Sequence, residues 1–447
     1  MRKIDESVAA SLEQASWEAG SRARQGWTCR EYSVTVETPL YGGGVHAGAV
    51  DTEQPIRVTG LRGQFRFWWR VACGPFATSE EMFQREAPIW GGIGRHGARA
   101  SQVRVRVASV SAVKTEAAFR YEKSHDGAMF RPNPTPAGWA EPVQYAVFPA
   151  RGKLAHNKRH IESPPHALAV KRIQFTLHVD LHPTLSDAER LEIETALRWW
   201  ASFGGIGART RRGLGAVHVA ALDPVDNNTV AARGGQLALS GKMPNAHAAW
   251  EFAINKLQAF RQRADLGRNP SSRQRVPAGR SRWPEPDLIR RQTGRNSQEH
   301  PPAHPITALT PRAAFGLPII FHFKDRQMGD PDDQQLLPVL GHNDHPDPGG
   351  LRRGDRMASP LILRPYWDGQ CWRACALLLP ERWDAALAAR TTLVEQNAPE
   401  RPLSAHDICA VWPSAPAEQA SAAEQIKPIS GRDDDPLSAF LAWFNED

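Results

Sequence analysis

The chain has 447 residues, 41% of them apolar and 23% charged, the balance of a protein with a full core rather than a disordered one. Its formal net charge of +7 points to an anionic partner. No apolar run reaches the length of a membrane span, the first twenty residues lack a signal-type stretch, and five cysteines are too sparse for a disulfide scaffold, so a reducing cytoplasm is expected.

Residues 1–30 read as a polar extension preceding the first domain, 31–225. EYSVTVETPL (Glu31 to Leu40) alternates and reads as a strand, closed by Pro39 and followed by Gly42, Gly43 and Gly44. GLRGQFRFWWR (Gly60 to Arg70) projects onto a helix with Leu61, Phe65, Trp68 and Ala72 on one face. Arg62, Arg66 and Arg70 form a separate column at i, i+4 and i+8, with no acid inside Gly60–Ala72 to neutralise it. Trp69 lies between the two faces. A short helix is expected from Thr78, which stands at capping-box spacing from Glu81, with a break at Pro88 before WGGIGRHG. SQVRVRVASV (Ser101 to Val110) alternates as a strand, with Arg104 and Arg106 on its wet face.

Residues 114–168 are basic, lack clean periodicity and are long for a loop, which suggests a functional excursion holding a hairpin. RIQFTLHVDL (Arg172 to Leu181) resumes the strand pattern. A helix capped by Ser186 and Glu189 follows and ends in FGGIGARTRRGLGAVHV (Phe203 to Val219). The order strand, helix, strand, strand, helix, strand is that of the ferredoxin-like fold, an α+β class with an antiparallel sheet.

The second half, 226–447, reads as a further α+β domain. Its elements are a helix at His247–Ala264, an Arg- and Pro-rich insertion near 265–311 with little regular structure, and strands at Ala314–Phe323, Pro360–Pro365 and Cys371–Pro380. A helix at Glu381–Gln396 follows. Ten arginines lie between Arg261 and Arg295. Cys371 and Cys375 have no partner pair at zinc spacing and are read as small core hydrophobes.

Both GGIG segments (Gly91–Gly94 and Gly204–Gly207) follow helices, which excludes a phosphate loop or dinucleotide fingerprint and makes them helix caps and turns. The second continues into ARTRRG. There Gly204 and Gly205 would let backbone approach a phosphate, and Arg209, Arg211 and Arg212 would supply charge. Asp51 is a lone acid after the first glycine turn. The histidines His156, His160 and His166 lack further ligands, and His342 and His345 look like turn residues. No metal, cofactor or nucleophile constellation is recognised.

VETPLYGGG, the RxTGLRGxFRFWWR helix and FGGIGARTRRGLG before a strand together resemble the RAMP superfamily of CRISPR effector subunits. The pattern is that of the first subunit of the type III-B (Cmr) complex. SRWPEPDLIR, AFGLPIIFHF and RMASPLILRP extend the resemblance through most of 31–365. It implies two tandem ferredoxin-like domains and a cytoplasmic, non-catalytic, RNA-binding subunit. Such a subunit holds the 3′ portion of the crRNA beside sister RAMP subunits and caps the filament; whether target RNA touches it stays open. Arg57, Arg62, Arg66, Trp69, Arg70, Gly204, Gly205, Arg209, Arg211, Arg212, Arg282 and Arg356 are the expected RNA contacts, with the helix column and the turn meeting on one RNA backbone. Related backbone subunits cleave target RNA with an aspartate in the stretch that Asp51 occupies here. Three rival readings remain open: a ribonuclease acting through Asp51, a protein–protein adaptor, and a general basic RNA-binding protein unconnected with CRISPR. No metal or other cofactor is expected.

Overall fold

The computed structural model describes residues 26–46, 48–95, 97–125, 127, 129–134, 141–155, 157–270, 279–340, 352–380, 382–395 and 403–446. Most of the N-terminal extension, His156, and the turn histidines His342 and His345 lie outside the described residues.

The first domain is built on β1 (Thr28–Val36), α1 (Val58–Cys73), α2 (Ser79–Trp90), the hairpin β2 (Gly92–Gly94) and β3 (Gly97–Arg99), β4 (Val103–Ala108), β5 (Ile173–Leu181), α3 (Asp187–Phe203) and β6 (Val217–Val219). The antiparallel sheet has the order β6–β1–β5–β4, which is the ferredoxin-like order. Period-2 alternation places Val34, Val36, Phe175, Leu177 and Val179 in the core. Against that sheet lie α1 and α3, which contribute Phe65, Trp68, Trp199, Trp200 and Phe203. Phe65 meets Trp200 edge to face at 5.0 Å, and Trp68 stacks on Trp199 at 6.2 Å.

The local signals behave as their chemistry requires. The Thr78 side chain accepts from the Glu81 amide at 3.0 Å, and Ser186 with Glu189 forms a full capping box. One break fails to occur: α2 continues through Pro88 to Trp90 and is closed by Gly91. A proline costs the helix one amide bond, but Ile89 and Trp90 beyond it are buried in the core, which holds the last turn. Leu40–Tyr41 leaves the main sheet and pairs with Ala167–Ala169, which pairs in turn with Thr115–Ala117. The excursion also holds the expected hairpin, Phe119–Lys123 with Phe130–Pro134, and a helix at Glu141–Val147.

The second half repeats the start of the pattern with β7 (Gln236–Met243), α4 (Ala246–Gln262), β8 (Leu361–Trp367) and β9 (Trp372–Leu378), in sheet order β7–β9–β8. After β9 come α5 (Arg382–Leu387) and then a strand, Arg390–Glu395, where one long helix was expected. The β-branched run Thr391, Thr392, Val394 favours the strand. That strand joins a separate five-stranded sheet with Ile319–Phe321, Gln334–Leu340, Arg352–Arg353 and Ile408–Ala410. The expected strand at Ala314–Phe323 is shorter: Ala314 and Phe315 end a 3₁₀ turn, Pro311–Phe315, and the strand itself is Ile319–Phe321. The basic insertion holds a helix, Glu285–Thr293, whose Glu285 and Asp287 are buried against Arg312 and Arg290. Two C-terminal helices, α6 (Pro416–Gln425) and α7 (Pro436–Asn445), close the half, and Asp435 caps α7. Both faces of the β8–β9 hairpin are buried: Leu361, Leu363 and Ala376 join the core containing α4, whereas Ile362, Tyr366 and Leu377 join the core of the first domain. The two halves therefore share apolar packing rather than a solvated linker.

Candidate nucleic-acid interface

The arginine column on α1 is positioned as its periodicity requires, but its charge is answered in part. Glu86 of α2, 2% exposed, accepts from Arg66 Nε at 2.7 Å and from Arg70 Nη2 at 2.7 and 2.9 Å. Burial alone would raise the Glu86 carboxyl, yet the hydrogen bonds from Arg66 and Arg70 outweigh it and hold it below the usual range. Arg62 donates to the Trp90 carbonyl and has no acidic partner among the described residues. Trp69 is fully buried, stacked on Phe76, with its N–H on Glu192 at 3.0 Å. A ring packed on one face and roofed on the other offers no surface to a base, so Trp69 is corrected from a stacking residue to a core residue.

The glycine-rich turn has a different neighbourhood. Gly204 closes α3, its amide bonded to the Trp200 carbonyl at 2.7 Å. A side chain at Gly204 would collide with Trp200 and Trp68, and one at Gly205 with the Gly215 carbonyl. Both glycines are buried, so the expectation that they touch a phosphate is corrected: they allow close packing instead. The exposed glycine is Gly207, at φ +81°, where a Cβ would meet the Tyr41 carbonyl at 2.5 Å. Next to it Ala208 N donates to Tyr41 O at 2.7 Å, which seats the turn directly beside the Gly42–Gly43 loop. Two glycine-rich segments far apart in the chain thus form one strip of backbone, with Gly43, His46 and Gly207 exposed.

Three guanidinium groups surround this strip. Arg209, itself at φ +60°, donates to the Ala146 carbonyl at 2.6 Å. Arg211 donates to the Ser359 carbonyl, and Arg212 to the carbonyls of Leu361 and Phe315, each at 3.0 Å. All these acceptors are neutral. Burial depresses the basicity of all three, and Arg212 is pushed down to about 9. Arg212 is turned wholly into the joint between the halves, so it rivets the domains rather than reaching outward. From the other side, buried Arg364 of β8 donates to the carbonyls of Gly204 and Val217, the latter at 2.5 Å.

The column and the turn do not converge. The column faces α2, while the turn faces β8 and the excursion helix. What α1 presents toward the turn is Phe67, on its opposite flank, which lies under Arg382 at 5.4 Å; Arg382 in turn lowers the basicity of Arg211. Arg57 lies 3.8 Å from Asp51, Arg282 is tied to Asn269 and the Asp265 carbonyl, and Arg356 is exposed. Asp51 accepts the amides of Gln54 at 2.9 Å and Glu53 at 3.1 Å, and these bonds depress its carboxyl.

Two groupings escaped the sequence reading. His166 stacks on Tyr41, with Nδ1 2.8 Å from the hydroxyl, and lies against Gly48. His300, Asp325 and Asp330 bring donor atoms within 4.8 Å of one another, but Asp330 is already held by Arg290 through both oxygens. No short-range signal marks either grouping, because each is assembled across the fold. No helix among the described residues is long and apolar enough to cross a membrane.

A ferredoxin-like sheet whose α3–β6 connection is an arginine-bearing glycine turn defines the class of the first domain. Residues 33–218 match the model of the RAMP superfamily. Among solved structures, Cmr1 from Pyrococcus furiosus in its apo form aligns at 13% identity and a TM-score of 0.36. The alignment covers 79% of this chain and 88% of that one. A chain of the type III-B Cmr-beta complex bound to cognate target RNA aligns at 10% identity and a TM-score of 0.37, covering 79% and 94%. No curated protein matches the sequence.

Proposed function

We propose that this protein is a non-catalytic, RNA-binding RAMP subunit of a type III-B CRISPR effector complex, holding the 3′ portion of the crRNA and capping the RAMP filament beside its sister subunits. The RAMP match over the first domain and the motif pattern of that subunit class support the assignment. One observation carries the RNA-binding reading: the turn at Arg209–Arg212 concentrates cationic charge whose hydrogen-bond partners among the described residues are neutral carbonyls, beside an exposed strip of glycine backbone. A phosphate chain supplies the missing negative charge without reading sequence, as a subunit serving many guides requires. Arg209 and Arg211, with Arg57 and Arg356 further along the surface, are its contacts. The helix column contributes less, because Glu86 offsets one of its three charges and ties Arg66 and Arg70 to α2.

Asp51 does not favour catalysis. Its depressed carboxyl makes a weak general base, and among the described residues it joins no group of acids or histidines that could hold a metal ion.

The test replaces Arg209 and Arg211 by glutamine, whose amide can still donate to Ala146 and Ser359 while the charge is lost. Filter binding of a single-stranded RNA should weaken, and the log–log salt slope should flatten by about 0.7 per lost phosphate contact. An unchanged slope with intact circular dichroism refutes the interface. Failure of the wild-type chain to bind RNA at all favours the adaptor reading.

A further inference from the structure

The C-terminal half carries an open cavity of about 880 Å³ between α5 and α6. Its floor is apolar, formed by Leu309, Leu387, Trp412 and Ala422. The one polar atom of the Trp412 ring is tied away to the Asp434 carbonyl at 2.9 Å, so the indole offers only hydrocarbon. The rim carries Asp384 and Glu418, both exposed, and among the described residues no lysine or arginine lines the cavity. Neither carboxylate has a basic partner among the described residues. Arg382, two residues from Asp384, is turned instead over Phe67. Glu418 sits in the first turn of α6, so the positive end of that helix is already matched by its own acid.

On a chain of net charge +7 this is an inverted patch. It repels phosphate, which separates it from the RNA surface, and its apolar floor asks for hydrocarbon rather than solvent. The volume falls within the range of sites that enclose a few side chains. The flanking ten-residue α6 is about 15 Å long, which spans roughly four or five extended residues or three helical turns.

We propose that this cleft is a docking groove for a short segment of a protein partner, one that sets leucine-, isoleucine- or phenylalanine-like side chains into the floor and places lysine or arginine against Asp384 and Glu418. Charge complementarity selects that chemistry. The apolar floor sets affinity, and the two acids set orientation and reject acidic segments.

The experiment pans a random dodecapeptide library displayed on phage against the full chain, with the Asp384→Lys/Glu418→Lys variant as counter-selection. Enriched peptides should combine large apolar residues with lysine or arginine. A synthetic copy should bind the wild type saturably in fluorescence anisotropy and bind the variant at least about tenfold more weakly. Leu387→Lys, which leaves both acids in place, should abolish binding. Filter binding of RNA should be unchanged in both variants, so this groove and the RNA surface stand or fall separately. Enrichment of acidic peptides, no enrichment, or binding indifferent to the charge reversal overturns the proposal. So does loss of RNA binding in the variants, or concentration-dependent dimerisation of the wild type that the variants abolish, since the occupant would then be RNA or a second copy.

Discussion

Replacing Glu86 by glutamine removes the charge that locks α2 onto the arginine column while keeping the side chain's volume. In the native protein Glu86 accepts one hydrogen bond from Arg66 and a two-pronged set from Arg70. Breaking a buried ion pair costs about 3–5 kcal/mol when both partners are buried. Here only the carboxylate is: the Arg66 and Arg70 side chains are 29% and 39% exposed, so water recovers part of their solvation. That leaves a loss of about 2 kcal/mol, and a thermal midpoint lower by about 4–8 °C for a domain of this size. The pH dependence carries a sign. A carboxyl held low in the folded state stabilises fully above the unfolded value of about 4.3, and that contribution disappears as pH falls through its lower folded value. The gap in midpoint between wild type and Glu86→Gln should therefore be full at pH 7 and shrink below about pH 4. Scanning calorimetry at a series of pH values measures both. A midpoint unmoved at pH 7 would refute the claim that Glu86 ties down Arg66 and Arg70, and would return both to the list of RNA contacts.

Arg364→Met strips the charged donor from the Gly204 and Val217 carbonyls at the joint of the two halves. Leaving buried carbonyls without that donor should cost about 1–3 kcal/mol and split a single calorimetric transition into two. Gly207→Ala forces a Cβ into the left-handed region and against the Tyr41 carbonyl. It should destabilise by about 1–3 kcal/mol and weaken RNA binding by displacing the Gly42 loop, read by thermal melt and filter binding. Labelled RNA incubated with wild type and with Asp51→Ala should remain intact in both; cleavage by the wild type alone would make Asp51 catalytic.

The βαββαβ order of the first domain was readable because each signal is short in range. Val34 and Val36 alternate with polar residues, Leu61, Phe65 and Trp68 recur at helical spacing, and the Thr78–Glu81 and Ser186–Glu189 caps act within one turn. In the second half the same cues misled where tertiary pairing outweighed them. Thr391–Val394 reads as a continuation of the preceding helix, but it pairs with Gln335–Pro338, more than fifty positions earlier in the chain.

Residue order alone established that arginines would be held in a column and a glycine turn, and that the first domain would carry a split sheet. What those arginines would meet had to await folding. Glu86, which pairs with both Arg66 and Arg70 and offsets half their charge, lies 20 and 16 residues beyond them on another helix. The carbonyls of Ser359 and Leu361, which hold Arg211 and Arg212 without cancelling them, lie 148 and 149 residues on. Charge is a property of each side chain, but its compensation belongs to whatever the packed cores bring alongside, and no periodicity in the chain encodes that.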